Sequence, residues 1–331
     1  MEDLAAQVVE AERRIRPWVR ETPLEAAPPL AAGAAGLHLK LENLQHTGSF
    51  KARGAFNRLL ALSDAERARG VIAASTGNHG AAVAYAMSRL GVRGRVVVPS
   101  GADPSKVAAI RELGADVEVH GDDSAVAERH ARAAARREGA VYLSPYNDPL
   151  VMAGQGTVGV ELARQRPDLE AVYIALGGGG LLAGVAAYLK SLLPSVWIVG
   201  ASPENSAVMI ESIRAGRILD LPSAPTLSDG TAGGVEEDAV TFEPCRALAD
   251  ELVTVTEGEI AETMRAVHRA AGHRIEGAAA VAIAAAVRDA GFWDGRCAVA
   301  IVCGGNVADP TWRRVLGEPA AASHAAGGTA G

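Results

Sequence analysis

Residues 171–189 read AVYIALGGGGLLAGVAAYL, nineteen positions without a charge. That length is near the roughly 20 apolar residues a helix needs to cross a bilayer, so the stretch allows a membrane span. The four consecutive glycines in its middle, Gly177 to Gly180, argue otherwise. Each glycine in a helix interior costs about 1 kcal/mol relative to alanine, and four together mark a turn. AVYIAL is then a buried strand, GGGG a turn, and LLAGVAAYL the start of a helix. Strand, turn and helix in that order form one unit of an α/β fold. The turn lies at the carboxyl end of its strand, which is where open α/β sheets bind ligands.

The alternation continues on both sides. Upstream come the charged amphipathic helix MEDLAAQVVEAERRIRPWV, the proline-broken loop RETPLEAAPPL and the alternating strand LHLKLEN. Helix SFKARGAFNRLLAL, strand GVIAAS, helix AAVAYAMSRLG, strand RGRVVVPS and helix SKVAAIRELGA follow. Strand DVEVHG, helix SAVAERHARAAARREG, strand AVYLSPYN and helix PLVMAGQGTVGVELARQ complete that half. Downstream lie strand VWIVGAS, helix ENSAVMIESIRAG, the glycine-rich loop PTLSDGTAGGVEED, and DELVTVTEGEIAETMRAVHRAAG as strand and helix. Helix IEGAAAVAIAAAVRDAG and the strand and turn CAVAIVCGGN end the pattern. Strands interleaved with helices predict parallel sheets covered on both faces. The closing GEPAAASHAAGGTAG, residues 317–331, has no periodicity and is expected to be disordered.

Composition narrows the function. The 331 residues are 49 % hydrophobic and 21 % charged, ordinary for a globular protein with an ample core. The net charge of −7, without a basic stripe, argues against a nucleic-acid partner. The opening helix is charged, unlike a signal peptide. Three cysteines, Cys245, Cys297 and Cys303, show no metal or redox spacing and suit a reducing cytosol, so a cytoplasmic protein is expected.

Four stretches at strand ends carry chemistry. GGGG presents bare backbone amides at a helix start, a natural anion cradle, and Gly178, Gly180 and Ala183 also satisfy G-x-G-x-x-A. A dinucleotide reading needs an acidic residue ending the next strand, and VWIVGAS ends at Ser202. STGNHG puts Ser75, Thr76, Asn78 and His79 on one turn; capping needs a single such residue, whereas a site gripping a carboxylate would use all four. CGGN places Cys303 at the end of an apolar strand, a position that most often serves core packing. In TGSFKARGAF, Lys51 stands among hydroxyls, glycines and Phe50. Read alone it is more often a solvated helix lysine, but desolvation there would depress its pKa and make the amine able to condense with a carbonyl.

Taken in order and at these intervals, SFKARGA, STGNHG, GGGGLLAG and CGGN resemble the fold-type II pyridoxal-phosphate enzymes, closest to the serine/threonine dehydratases and serine racemase. The likeness covers residues 10–316, and KLENLQHTGSFKARGA with AASTGNHG is similar to the dehydratases of hydroxyectoine utilisation. It implies a tryptophan synthase β-like α/β fold of two three-layer α/β/α domains with pyridoxal 5'-phosphate in the cleft between them. Residues 1–52 and 147–316 would form the large domain, and 53–146 the small one. By the same likeness, Lys51 would bind the cofactor aldehyde, Phe50 would lie against the ring, and Asn78 would meet the phenolic oxygen. Gly177, Gly178, Gly179, Gly180 and Leu181 would cradle the phosphate, and Cys303 would face the pyridine nitrogen. Glu276 and Gly230 would flank the ring, while Ser75, Thr76, Asn78 and His79 would receive the substrate carboxylate.

The resemblance further implies α,β-elimination of water from a small β-hydroxy amino acid such as L-threonine or L-serine. Lys51 would act as the base, and the cofactor phosphate would protonate the leaving group. A neutral thiol at the pyridine nitrogen makes a moderate electron sink, favouring prompt loss of the β-hydroxyl. The alternatives are a serine or amino-acid racemase, with Thr76 as the catalytic hydroxyl on the opposite face, or a dehydratase for a bulkier hydroxyectoine-derived substrate. Ser202 and Val208 replace the acidic ligands of a cation site found in several relatives, so no metal is expected there. A homodimer is expected, with no membrane partner.

Overall fold

The computed structural model describes residues 2–27, 30, 36–293 and 295–318, so most of the predicted tail, 319–331, lies outside the described residues. In chain order the elements are α1 (Glu2–Ile15), β1 (Leu24–Ala26), β2 (Leu37–Leu41), α2 (Lys51–Leu60), α3 (Asp64–Arg69), β3 (Val71–Ala74), α4 (Asn78–Leu90), β4 (Gly94–Val98), α5 (Pro104–Glu112) and β5 (Asp116–Val119). There follow α6 (Ser124–Glu138), β6 (Val141–Tyr142), α7 (Pro149–Gln165), β7 (Leu169–Ala175), α8 (Gly180–Leu192), β8 (Trp197–Pro203) and α9 (Val208–Ala215). The last are α10 (Phe242–Leu248), β9 (Glu251–Val255), α11 (Glu257–Ala271), α12 (Gly277–Arg288), β10 (Cys297–Val302) and α13 (Asp309–Leu316).

Two sheets result, one ordered β1-β2-β10-β7-β8-β9 and one ordered β5-β4-β3-β6. The stretch 171–189 that allowed a membrane helix is β7, a glycine turn and α8. No helix among the described residues is long and apolar enough to cross a membrane. Among the described residues every strand pairing is parallel except one: β1 runs antiparallel to β2, so the larger sheet is mixed. β1 lies in the stretch read as a proline-broken loop. A three-residue strand next to Pro23 fits only at a sheet edge.

The central strands β7 and β10 are apolar almost throughout because both faces are covered. The chain steps from β7 to β8 through α8 and returns from β9 to β10 through α11 and α12; with the right-handed crossovers that parallel strands favour, these helices fall on opposite faces. α12 packs on β7, β8, β9 and β10, while α8 carries α7 and α1 behind it. In the smaller sheet α6 packs on β3, β4 and β6, and α4 covers the opposite side together with α2 and α5.

Three further readings need correction. The helix ENSAVMIESIRAG is a 3-10 turn at Glu204–Ser206 and then α9, broken at Ala207. The strand AVYLSPYN shrinks to Val141–Tyr142, because the Ser144 hydroxyl accepts from the Asn147 amide (3.0 Å) and turns the chain out of the sheet. α3 was passed over, although Ser63 and Glu66 form a complete capping box at its start.

Candidate active site

The carboxyl ends of β3, β7 and β10 open on one cleft of about 1280 Å³ between the two sheets. Every site residue singled out in the sequence lines it: Phe50 and Lys51, the turn Ser75–His79, the loop Gly177–Leu181, and Gly230, Glu276 and Cys303. The TGSFK loop is held by the CGGN turn. The Phe50 amide donates to the Cys303 carbonyl (3.1 Å), the Gly305 amide donates to the Gly48 carbonyl (2.9 Å), and Ser49 bridges to Gly304. This pins the start of α2, whose first residue is Lys51.

Lys51 is half-buried on the floor of the cleft. Its ammonium donates to the Pro145 carbonyl (2.9 Å) and stands 5.1 Å from the centre of the Phe50 ring. Burial lowers its pKa to about 8, against an upward pull from Cys303 and Glu276. A position in the first turn of a helix also disfavours a positive charge. Among the described residues no carboxylate pairs with it, an environment in which an amine loses its proton more readily and can serve as nucleophile or base.

The glycine loop offers a second kind of chemistry. Among the described residues, no carbonyl or side chain accepts from the backbone amides of Gly177, Gly178, Gly179, Gly180 or Leu181. These five amides flank the start of α8, where the helix dipole favours an anion. A Cβ at Gly178 would meet the Tyr146 ring at 2.4 Å, and Gly179 holds φ +85°, so glycine is required at both positions.

Asn78, Glu276, Cys303 and Asn306 form a connected group opposite. The Asn78 amide donates to both oxygens of Glu276 (2.9 Å each), and the Cys303 thiol lies 3.8 Å from the same carboxylate. Burial raises Glu276 to about 7 and, with Glu276 alongside, pushes the Cys303 thiol well above its usual value. Cys303 is therefore a neutral thiol and no nucleophile. Asn306 donates to the Asn78 side-chain oxygen (2.7 Å) and to the Thr47 carbonyl (2.8 Å). The sequence placed Asn306 in a motif without giving it a task.

The STGNHG turn divides its labour differently from the sequence reading. His79 spends its ring on the Leu143 carbonyl (2.8 Å), and burial, aided by Lys51, lowers it to about 3. It is a neutral structural imidazole. Ser75 accepts from the Gly77 amide (3.1 Å). What the turn presents to an anion is the hydroxyls of Ser75 and Thr76 with the first-turn amides of α4, which have no backbone acceptor.

Loop 227–236 closes the cleft from the far side. Asp229 sits 3.5 Å from Lys106 on α5, and Glu236 sits 2.6 Å from Arg132 on α6. Elsewhere, the Ser202 hydroxyl donates to the Leu176 carbonyl (2.6 Å), so the strand end after the glycine loop holds no ribose-binding acid. On the outer surface Glu118, His120 and His130 cluster. The two imidazoles stack with ring centres 3.6 Å apart, and Glu118 is engaged by Arg95 and His130 (2.5 Å each).

The five free amides, a lysine without a counter-ion and an open cleft fit a phosphorylated aldehyde cofactor. The sequence profile of the pyridoxal-phosphate dependent enzymes matches residues 15–304. The chain belongs to this family. Among curated relatives, the L-threonine ammonia-lyase of Thermotoga maritima is 40 % identical over 301 residues, covering 91 % of this chain and 75 % of the relative. The catabolic L-threonine dehydratase TdcB of Escherichia coli is 38 % identical, covering 91 % and 92 %. Among solved structures, the processed form of threonine deaminase isoform 2 from Solanum lycopersicum superposes with a TM-score of 0.90 at 35 % identity, covering 95 % and 93 %. Maize serine racemase gives 0.87 at 32 % identity, covering 94 % and 96 %.

Proposed function

We propose that this pyridoxal-phosphate dependent enzyme is an ammonia-lyase that removes water from a small β-hydroxy amino acid, L-threonine or L-serine. The overall products are a 2-oxo acid and ammonia, since the water lost in elimination returns when the released enamine hydrolyses. The observation that carries the reading is Lys51: an amine depressed to about 8, held at a helix start and without a carboxylate partner. Relatives bearing threonine ammonia-lyase and dehydratase names support the substrate class.

Pyridoxal phosphate, when bound, supplies an aldehyde that condenses with amines and a ring that accepts the electron pair of a broken Cα–H bond. The free amides of Gly177–Leu181 would hold its phosphate, Phe50, Gly230 and Glu276 would border its ring, and Asn78 and Cys303 would stand at the ring's polar edge. Ser75, Thr76 and the first-turn amides of α4 would bind the substrate carboxylate and so aim the Cα hydrogen. Lys51, neutral after release, would take that proton at Nζ. The Pro145 carbonyl, 2.9 Å away, gives the protonated amine an acceptor. Loop 227–236 would exclude water through its links to Lys106 and Arg132.

The division into residues 53–146 and residues 1–52 with 147–316 belongs to the same proposal, and the four-stranded sheet within Val71–Tyr142 supports it. So do a cytoplasmic location, supported by three free, buried cysteines, and a homodimer, which size-exclusion with light scattering would test. A racemase is the second reading, favoured by the Thr76 hydroxyl in the cleft and the similarity to maize serine racemase. Serine, threonine and bulkier β-hydroxy amino acids should be screened for 2-oxo acid release with chiral analysis of the remaining substrate. Oxo acid from threonine or serine is expected. D-serine without oxo acid would replace the lyase by the racemase, and oxo acid from bulky substrates alone would move the specificity.

A further inference from the structure

The glycine loop needs something to keep its amides turned toward the cleft. A Gly-Gly peptide has no side chain to resist rotation, and a flipped peptide would present a carbonyl to an anion. Two buried side chains of the α10 segment stand behind it. The Thr241 hydroxyl donates to the Gly178 carbonyl (2.7 Å), and the Cys245 thiol donates to the Gly179 carbonyl (3.4 Å). Both residues are fully buried and lie outside the cleft lining. Peptides are planar and trans, so a carbonyl fixed on one side fixes the next N–H on the other. Thr241 thereby sets the Gly179 amide, and Cys245 sets the Gly180 amide together with the Ala183 amide of α8, which donates to the same Gly179 carbonyl (2.9 Å). Burial pushes the Cys245 thiol up to about 12, so it stays a donor throughout the physiological range. The fit behind the loop is close: a Cβ at Gly179 would meet Cys245 Sγ at 2.6 Å and Thr241 Cβ at 3.1 Å.

We infer that Thr241 and Cys245 are positioning residues that lock the Gly178 and Gly179 carbonyls away from the cleft and so hold the Gly179 and Gly180 amides ready for the cofactor phosphate. The inference rests on the cofactor reading of the loop. Its effect should depend on the phosphate, which allows a test separate from turnover. Apo-protein is titrated with pyridoxal 5'-phosphate and, in parallel, with pyridoxal, which has the aldehyde but no phosphate; visible absorbance reports binding.

Thr241→Val, which removes the hydroxyl at similar volume, is expected to weaken binding of the phosphorylated compound about tenfold, the size of one buried hydrogen bond. Pyridoxal binding should stay unchanged, and Thr241→Ser should restore the wild-type constant. Cys245→Ala, losing a weaker donor, is expected to cost about threefold, and Cys245→Ser to recover it. Equal losses for both compounds would reduce the pair to fold support and overturn the inference. Wild-type affinity in Thr241→Val would overturn it while leaving the cofactor reading intact. Failure of the wild-type protein to bind either compound would remove the cofactor reading itself.

Discussion

Two of the four lysines, Lys40 and Lys51, stand eleven positions apart in the sequence; burial takes both out of bulk water and lowers the pKa of each, but their partners differ. Lys40 ends inside the protein with every donor used: Glu161 at 2.6 Å, the Thr22 carbonyl at 2.8 Å and Gln165 at 3.0 Å. It belongs to a closed ionic network. Arg53 forks onto Glu42 (2.7 and 2.8 Å) and Glu161 (2.7 and 2.9 Å), and Arg16 adds a further contact to Glu161 at 2.7 Å. Burial alone would raise the Glu161 carboxyl, but Arg53 and Lys40 override it and hold it at about 2. Lys51 has a single carbonyl for company. Burial removes an amine from water in both places; Lys40 keeps a carboxylate partner and Lys51 has only a carbonyl, which suits Lys40 to a strut and Lys51 to the proposed role of base. The two are coupled through α2, because Arg53, two residues beyond Lys51, faces the network and fixes the helix whose first residue faces the cleft.

Exchanging the roles is the strongest way to break this comparison. Lys51→Ala should cut lyase turnover by at least about 10³-fold, the range for removing a positioned base. The holoprotein's visible absorbance should vanish, and the melting temperature should hold or rise because a half-buried unpaired amine is gone. Retained absorbance with a collapsed fold would invert the assignment. Lys40→Met should do the reverse. It breaks a buried ion pair and should cost about 3–5 kcal/mol in denaturant unfolding, while variants that still fold bind the cofactor normally. A loss under 1 kcal/mol would show that Arg53 and Arg16 suffice for Glu161.

Protonation sharpens the contrast. A lysine reacts with cyanate only as the neutral amine, so lowering its pKa moves its reactivity curve to lower pH. In apo-protein, carbamylation of Lys51 followed by peptide mass spectrometry should be half-maximal near pH 8. Lys40, closed in by its partners, should stay unmodified until the protein unfolds. A Lys51 whose reaction is half-maximal only at about 10.4, the value of a free lysine amine, would remove the physical basis for a base at neutral pH.

Much of this contrast was legible in the sequence, and the reasons are local. Strand, glycine turn and helix follow from periodicity and from what four glycines forbid, and they put Gly177–Gly180 where a ligand belongs. The motifs likewise brought Lys51, Asn78 and Cys303 together. Long-range partners stayed hidden. Nothing in LHLKLEN says that Lys40 meets Glu161, 121 positions away. His79 looked like a ligand group because the Leu143 carbonyl that absorbs it lies on a strand end, 64 positions downstream. β1 was missed because its pairing with β2 outweighs a proline-rich local signal.

Asn306 belongs with those hidden partners, and it gives the smallest predicted effect. Its amide spans the Thr47 carbonyl and the Asn78 oxygen, tying the loop that carries Lys51 to the residue that orients Glu276. Asn306→Ala removes two hydrogen bonds at an exposed site, so stability should fall by no more than about 1 kcal/mol. Asn78 would keep its donor to Glu276 but lose the second anchor that fixes its planar carboxamide. Cofactor affinity should therefore drop only about twofold to fivefold, by the same reckoning of one neutral hydrogen bond. Asn306→Asp offers a sharper version of the test. The carboxylate cannot donate to either oxygen, and it adds a charge within reach of Glu276, whose carboxyl already sits at about 7. The added charge raises the Glu276 carboxyl further, so cofactor binding in that variant should weaken as pH rises into the range where Glu276 ionises, now above pH 7, and recover as pH falls. A pH-independent loss would mean that Asn306 acts on the loop alone and not through Asn78 and Glu276.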